Sequence, residues 1–181
     1  DVFEAVNDRT LGDVFQSMQR IGDKLVLCIN NSDKIVVINR SDRKLVGTIN
    51  IPKPRYILPV SEAKAYVSTL FSNKIYIINP QTLQVTGSIT MPAQNIEGML
   101  QHQGSVYVCP WDTAVNKIFR INPATDEVID EITIAGRAPQ EVLVDKFDML
   151  WVLSGNVPKK KRAALTRIDP SRGQILGSYL F

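Results

Sequence analysis

The sequence predicts an all-β fold made of four copies of one four-stranded unit, and three observations carry that expectation. An Asn or Asp anchor, followed by Pro in three copies, recurs as Asn39, Asn79-Pro80, Asn122-Pro123 and Asp169-Pro170, at spacings of 40, 43 and 47 residues. Five residues before each anchor stand Lys34-Ile35, Lys74-Ile75, Lys117-Ile118 and Ala164-Leu165. Six residues after them begin Leu45-Val46-Gly47, Val85-Thr86-Gly87, Val128-Ile129-Asp130 and Ile175-Leu176-Gly177. Three features holding register through four copies, at a period of about 40 to 47 residues and with short β runs between, describe a β-propeller blade. Architecture of this kind hosts enzymes, binders and scaffolds alike, so it does not decide function.

The second copy shows the elements most clearly. Tyr56 to Val60, Ala65 to Ser68, Lys74 to Ile78 and Gln84 to Ile89 are short runs rich in β-branched and aromatic residues, bounded by turn formers. Between the last two, Asn79-Pro80-Gln81-Thr82 is a tight turn, because Asn bonds its own backbone two residues on and Pro presets φ. We letter the four strands of each blade A to D from the expected axis outward. The blades span about 13–50, 55–91, 97–134 and 140–181. No window shows apolar residues at helical spacing. Asp1 to Asn7, with Val2, Phe3, Ala5 and Val6, is expected as the outer strand of a preceding blade. The apolar run Ile175 to Phe181 has no sequel, and blades of this size usually close into rings of six to eight, so the four copies are read as a portion of a larger ring.

With 44% apolar and 22% charged residues among 181, the composition is that of a soluble globular domain. No apolar run approaches the ~20 residues of a membrane helix, and the start does not resemble a signal peptide. The formal charge of +3 rests on Lys159-Lys160-Lys161-Arg162, without which it is −1. That tract lacks interleaved aromatic residues, so it reads as a solvated loop and no nucleic-acid partner is expected. Asn30-Asn31-Ser32 matches a glycosylation sequon, which is discounted without a eukaryotic secretory setting.

The sequence offers no catalytic constellation, no metal site and no cofactor motif. His, Cys and carboxylates are not clustered at ligand spacing. His102 falls in an A-to-B hairpin, on the rim opposite the loops where propellers hold ligands. Asp130 and Glu131 are neighbours on one strand and point to opposite faces. Gly-rich phosphate loops and Gly-x-Ser-x-Gly elbows are missing. Cys28 and Cys109 share one register, equivalent to Ser68 and Ser154, and are expected to be buried free thiols.

A binding surface is easier to assemble. The D-to-A loops are residues 7–12, 52–55, 92–95 and 136–139, and the B-to-C loops are 30–32, 69–72, 110–113 and 154–156. In a propeller these loops converge on one face. Phe71 and Trp111 are large aromatics at comparable loop positions that no strand pattern demands. With Asn30, Arg55, Gln94, Asn95, Glu97 and Gln140 nearby in sequence, they suit a bulky, partly apolar small molecule edged with amides or phosphates. The alternative is that both aromatics only brace the loops.

The runs Lys64-Ala65-Tyr66-Val67-Ser68 and Ser105-Val106-Tyr107-Val108-Cys109, each followed by a C strand and an Asn-Pro turn, resemble the YVTN (YncE-like) propeller repeats often termed surface-layer-type. Leu11-Gly12-Asp13-Val14-Phe15-Gln16-Ser17-Met18 and Pro54-Arg55-Tyr56-Ile57 resemble, more narrowly, a branch on the outer surface of Bacteroides-type bacteria. That resemblance implies a seven-bladed, lipid-anchored ring at the outer membrane or in the periplasm, capturing cobalamin for a TonB-dependent transporter without catalysis. A protein-interaction scaffold, or a propeller lactonase or quinoprotein-like dehydrogenase with its site in other blades, are the competing expectations.

Overall fold

The computed structural model describes residues 2–155 and 163–181; Asn156 and the basic tract at 159–162 lie outside the described residues. Four antiparallel meanders follow one another. The first sheet is β1 (Phe15–Ile21), β2 (Lys24–Ile29), β3 (Lys34–Asn39) and β4 (Leu45–Asn50); the second is β5 (Pro54–Ser61), β6 (Lys64–Thr69), β7 (Lys74–Asn79) and β8 (Gln84–Thr90). The third is β9 (Ile96–His102), β10 (Ser105–Pro110), β11 (Lys117–Asn122) and β12 (Glu127–Thr133). The fourth is β13 (Pro139–Val144), β14 (Leu150–Ser154), β15 (Ala164–Asp169) and β16 (Gln174–Leu180). Each sheet therefore carries the four strands, A to D, of one expected blade. The chain divides into two compact units, Asp1–Thr90 and Met91–Phe181, each with two blades.

The turn between C and D strands has the expected chemistry. The side-chain oxygen of Asn79 accepts from the Gln81 and Thr82 amides, Asn122 does so from Ala124, and Asp169 from Ser171 and Arg172. Hydrogen bonding from Ser171, together with its backbone amide and that of Arg172, holds the Asp169 carboxyl below the usual range. The last turn residue is left-handed in every copy: Arg43, Leu83, Asp126 and Gly173, with φ of 61°, 59°, 62° and 62°. Ladder register then shifts at the equivalent C-strand step, Val37/Ile38, Ile77/Ile78, Arg120/Ile121 and Arg167/Ile168. Four copies repeat one turn-plus-bulge unit.

Within each unit the two blades pack face to face, and the B and C strands supply most of the buried apolar side chains between them. In the first unit, Val26, Cys28, Ile35, Val37 and Ile49 of one blade meet Ile57, Ala65, Val67 and Ile78 of the next. In the second, Tyr107, Cys109, Ile118 and Ile132 meet Val142, Leu150, Val152 and Ile168.

The N-terminal segment corrects an expectation. Val2–Asn7 is a short α-helix, α1, not a strand. Phe3 is buried with Leu27, Ile29, Val36 and Ile38 on the first blade's other face, while Val2 and Val6 stay exposed. The Asn7 amide donates to Phe3 O at 3.0 Å and to Arg43 O at 3.1 Å, and Asn7 Oδ1 accepts from the Leu45 amide at 2.7 Å. One buried side chain and one C-terminal Asn define this single turn and a half, too short to leave a periodic signature.

A second correction concerns register. Cys28 stands opposite Ile35 and Ser68 opposite Ile75, but in the fourth blade Leu153 is opposite Leu165 while Ser154 faces Ala164. The residue equivalent to the cysteines is therefore Leu153. Both cysteines are free and buried. Burial pushes the Cys28 thiol up to about 12 against the opposing influence of Ser17 and Arg55, and burial raises Cys109 well above its usual value.

Candidate ligand-binding loops

The loop end of every blade is built on one repeated clamp. The last residue of each D-to-A loop is left-handed: Val14, Lys53, Asn95 and Ala138, with φ of 57°, 43°, 54° and 52°. Its carbonyl accepts an amide from the first residue of the B-to-C loop of the same blade. The bonds are Asn30 to Val14 (2.8 Å), Leu70 to Lys53 (2.9 Å), Trp111 to Asn95 (2.7 Å) and Gly155 to Ala138 (3.3 Å). Sequence reasoning placed Phe71 and Trp111 at comparable positions; the clamp shows that Trp111 matches Leu70, and Phe71 lies one residue further on.

In the first unit, Asn30 is 6% exposed and its amide donates to Pro54 O at 3.0 Å, so it ties its own B-to-C loop to the next blade's A strand. Arg55 Nη1 donates to Gln16 Oε1 at 2.6 Å and its guanidinium lies 5.7 Å from the Tyr56 ring centroid. The Ser17 hydroxyl donates to Arg55 O at 2.6 Å. Lys53 donates its amide to Asp33 Oδ1 at 2.9 Å and brings its ammonium to 3.4 Å; the backbone bond chiefly lowers the Asp33 carboxyl. Phe71 is 75% exposed at φ 58°, in a turn closed by Thr69 Oγ1 donating to Lys74 O at 2.8 Å and by the Lys74 amide donating to Ser72 Oγ at 3.1 Å.

In the second unit, Asn95 and Trp111 are joined by the clamp. Asp112 Oδ2 accepts from the Gln94 amide at 3.4 Å and Oδ1 from the Ala114 amide at 2.9 Å, fixing both loops. Arg137 Nη1 donates to Ala114 O at 2.5 Å. Trp111 is half-buried, and its covered indole N–H has no acceptor among the described residues. Gln94 and Gln140 are exposed, whereas Glu97 is 1% exposed. Gly98 is required where it stands, because a Cβ there would lie 2.7 Å from Gln140 O and 3.0 Å from Glu141 Cα. Strand pairing adds a pattern that sequence reading missed. Gln16, Arg55, Glu97 and Gln140 are all the second residue of an A strand, each one step beyond the paired position Phe15, Pro54, Ile96 or Pro139. Three of the eight sequence-derived candidates thus share one repeat position.

At the opposite, hairpin end, the first unit holds a groove of about 570 Å³ lined by Arg20, Gly22, Asp23, Arg40, Ser41, Glu62 and Gln81. Gln81 is fixed there by accepting from Lys24 and donating to Glu62 O at 3.2 Å. No motif marked it, because hairpins from two blades form it together. His102 also lies at a hairpin, with Nε2 3.3 Å from Asp148 O. Among the described residues no three His, Cys, Asp or Glu side chains are grouped to hold a metal ion, and no helix is long and apolar enough to cross a membrane.

No known family profile and no curated protein matches the sequence. Solved structures do match. The hydrazine synthase of Kuenenia stuttgartiensis aligns with a TM-score of 0.78 at 16% identity over 89% of this chain and 47% of its own. The WD40 β-propeller domain of Doa1 aligns at 0.63 and 12% identity over 76% of this chain and 47% of its own. The dihydro-heme d1 dehydrogenase NirN, in complex with DHE, aligns at 0.69 and 10% identity over 91% of this chain and 37% of its own. The chain spans less than half the length of each. At such identities the likeness concerns fold alone, and the fold is that of a β-propeller portion with four four-stranded blades.

Proposed function

We propose that this protein is a non-enzymatic, cell-surface ligand-binding propeller whose D-to-A and B-to-C loops take up a bulky small molecule. The observation that carries the reading is Phe71, an aromatic ring held out to solvent at a left-handed backbone position that bulky residues rarely adopt. An exposed, backbone-fixed aromatic offers a stacking surface at little cost in ordering. Arg55, Gln94 and Gln140 supply polar groups from the same kind of loop end, and the clamp residues Asn30, Asn95 and Trp111 keep the loops in shape. The resemblance to the Bacteroides-type branch makes a corrinoid the ligand of choice, since its broad apolar macrocycle is edged with amides. It also points to a lipid-anchored protein at the outer membrane or in the periplasm, delivering to a TonB-dependent transporter.

Calorimetry with cyanocobalamin tests this. Binding at micromolar protein is expected, and Phe71→Ala is expected to weaken it about tenfold, the scale of one lost aromatic contact, at unchanged thermal stability. An absence of heat would remove the corrinoid reading and leave Phe71 as an anchor for a protein partner, the scaffold alternative.

A further inference from the structure

We infer that the hairpin-end groove of the first unit binds a small hydrophilic ligand, a polyol carrying one oxyanion, as in a sugar phosphate or a sugar acid. Its space of about 570 Å³ is that of a small-molecule site, yet apart from Gly22 its lining is wholly polar: Arg20, Asp23, Arg40, Ser41, Glu62 and Gln81. The two arginines are not products of the repeat. Strand pairing matches Arg20 with Pro59, Gln101 and Val144 in the other blades. Arg40 follows the turn anchor Asn39 where the other copies place Pro80, Pro123 and Pro170. Pro presets φ at that turn position, so the first blade forgoes the locally favoured residue. The Arg40 amide does donate to Asp23 O at 2.9 Å. Any residue other than Pro supplies an amide, however, and the turn makes no demand for a guanidinium.

The frame of the groove is pinned. The Lys24 side chain, only 12% exposed, donates to Gln81 Oε1 and brings its ammonium to 3.6 Å from Asp23 Oδ1. Gln81 Nε2 in turn donates to Glu62 O at 3.2 Å. These bonds fix the carboxamide and join the hairpins of two blades, so the walls are set before a ligand arrives. Arg20 Nε donates to Gly22 O at 3.1 Å, which leaves its two outer nitrogens for a ligand. Glu62 Oε1 lies over Gly22, 3.9 Å from where a Cβ would stand. Among the described residues neither Arg20 nor Arg40 forms an ion pair, and the Glu62 carboxylate meets no cation. Two such guanidinium forks suit the paired oxygens of a phosphate or carboxylate. Asp23 and Glu62 accept hydroxyl groups, and Ser41 and the remaining Gln81 N–H donate to them. A nucleotide would find no aromatic ring to stack its base on, and a polyanion would set its charge against Asp23 and Glu62. A single oxyanion on a hydroxyl-rich body satisfies both halves of the groove.

The test titrates the 181-residue protein with glucose 6-phosphate, glucuronate, glucose, inorganic phosphate and tripolyphosphate, followed by calorimetry and amide NMR shifts. Glucose 6-phosphate or glucuronate is expected to saturate a site about tenfold or more tighter than glucose or inorganic phosphate, with shifts centred on residues 20–24, 40–42, 62 and 81. The tighter of the two tells phosphate from carboxylate. Arg20→Gln and Arg40→Gln should each weaken that binding about tenfold, the scale of one charge-assisted hydrogen bond, at unchanged Tm, since both side chains are exposed. Glu62→Gln should weaken it about threefold while strengthening tripolyphosphate, by removing a repelling charge. The inference is overturned if neither ligand saturates by about 10 mM, or if both arginine variants keep full affinity. It is equally overturned if inorganic phosphate binds as tightly as glucose 6-phosphate, or if tripolyphosphate binds more tightly, since the hydroxyl-binding half would then be idle.

Discussion

Trp111 shows how one side chain can belong to a loop without yet answering to a ligand. Its backbone amide closes the clamp onto Asn95, and its indole N–H is covered but unpaired among the described residues. A buried donor without an acceptor costs about 1–3 kcal/mol. Trp111→Phe removes that donor and keeps most of the ring, so it should leave stability unchanged or raise it by up to about 1 kcal/mol in urea unfolding. A measurable loss of stability would instead show that the N–H has an acceptor other than the described residues. Of the candidate residues, sequence alone could find the aromatics, because loop positions without a strand pattern stand out. It could not tell that Asn30 is committed to Pro54 O or that Glu97 is buried, since burial depends on the neighbouring blade. Nor could it align Trp111 with Leu70, because a one-residue shift is invisible until the amide-to-carbonyl clamps are seen.

At the scale of elements, the fourth blade's A-to-B hairpin is organised by Asp145. Its Oδ1 accepts from the Phe147 and Met149 amides at 2.8 and 3.1 Å, and its Oδ2 from Trp151 Nε1 at 3.0 Å and from Arg167 at 2.8 and 3.1 Å. Desolvation pushes this carboxyl up, but the hydrogen bonds from Trp151, Met149, Phe147 and Arg167 outweigh it and bring it down to about 2. A carboxyl lowered on folding contributes stability that is complete above its unfolded value near ~4 and is lost as pH falls through its folded value. Thermal stability should therefore drop between pH 4 and pH 2, and Asp145→Asn should flatten that part of the profile; an unchanged slope in the variant would assign the drop to other carboxylates. Strand boundaries were legible in the sequence because Asx turns and apolar runs are local signals. Helix α1 was not, because Phe3 acquires its meaning only on meeting Ile29 and Val36. The extra length before Ala164 hid the register of the fourth blade, where Leu153 takes the place expected for Ser154.

For the molecule as a whole, each unit carries one natural probe of its interior: Cys28 in the first core and Cys109 in the second. Burial holds both thiols neutral, Cys28 up to about 12. The thiolate is the reactive form, so an aromatic disulfide reagent at pH 8 should label neither cysteine in the native protein and both in strong denaturant. Fast native labelling of either would mean that its unit opens readily. The clamp at each blade's loop end separates two jobs that a connection normally performs together. Once the amide of Asn30, Leu70, Trp111 or Gly155 has closed on the preceding loop, the strands on either side are in register whatever follows. The chain between that residue and the C strand is already longer in the third copy than in the second, and longer again in the fourth. These spans are thus the places where the scaffold accepts foreign sequence. A peptide epitope or a randomised segment grafted after Ser72 would inherit a rigid base without asking the blades to repack.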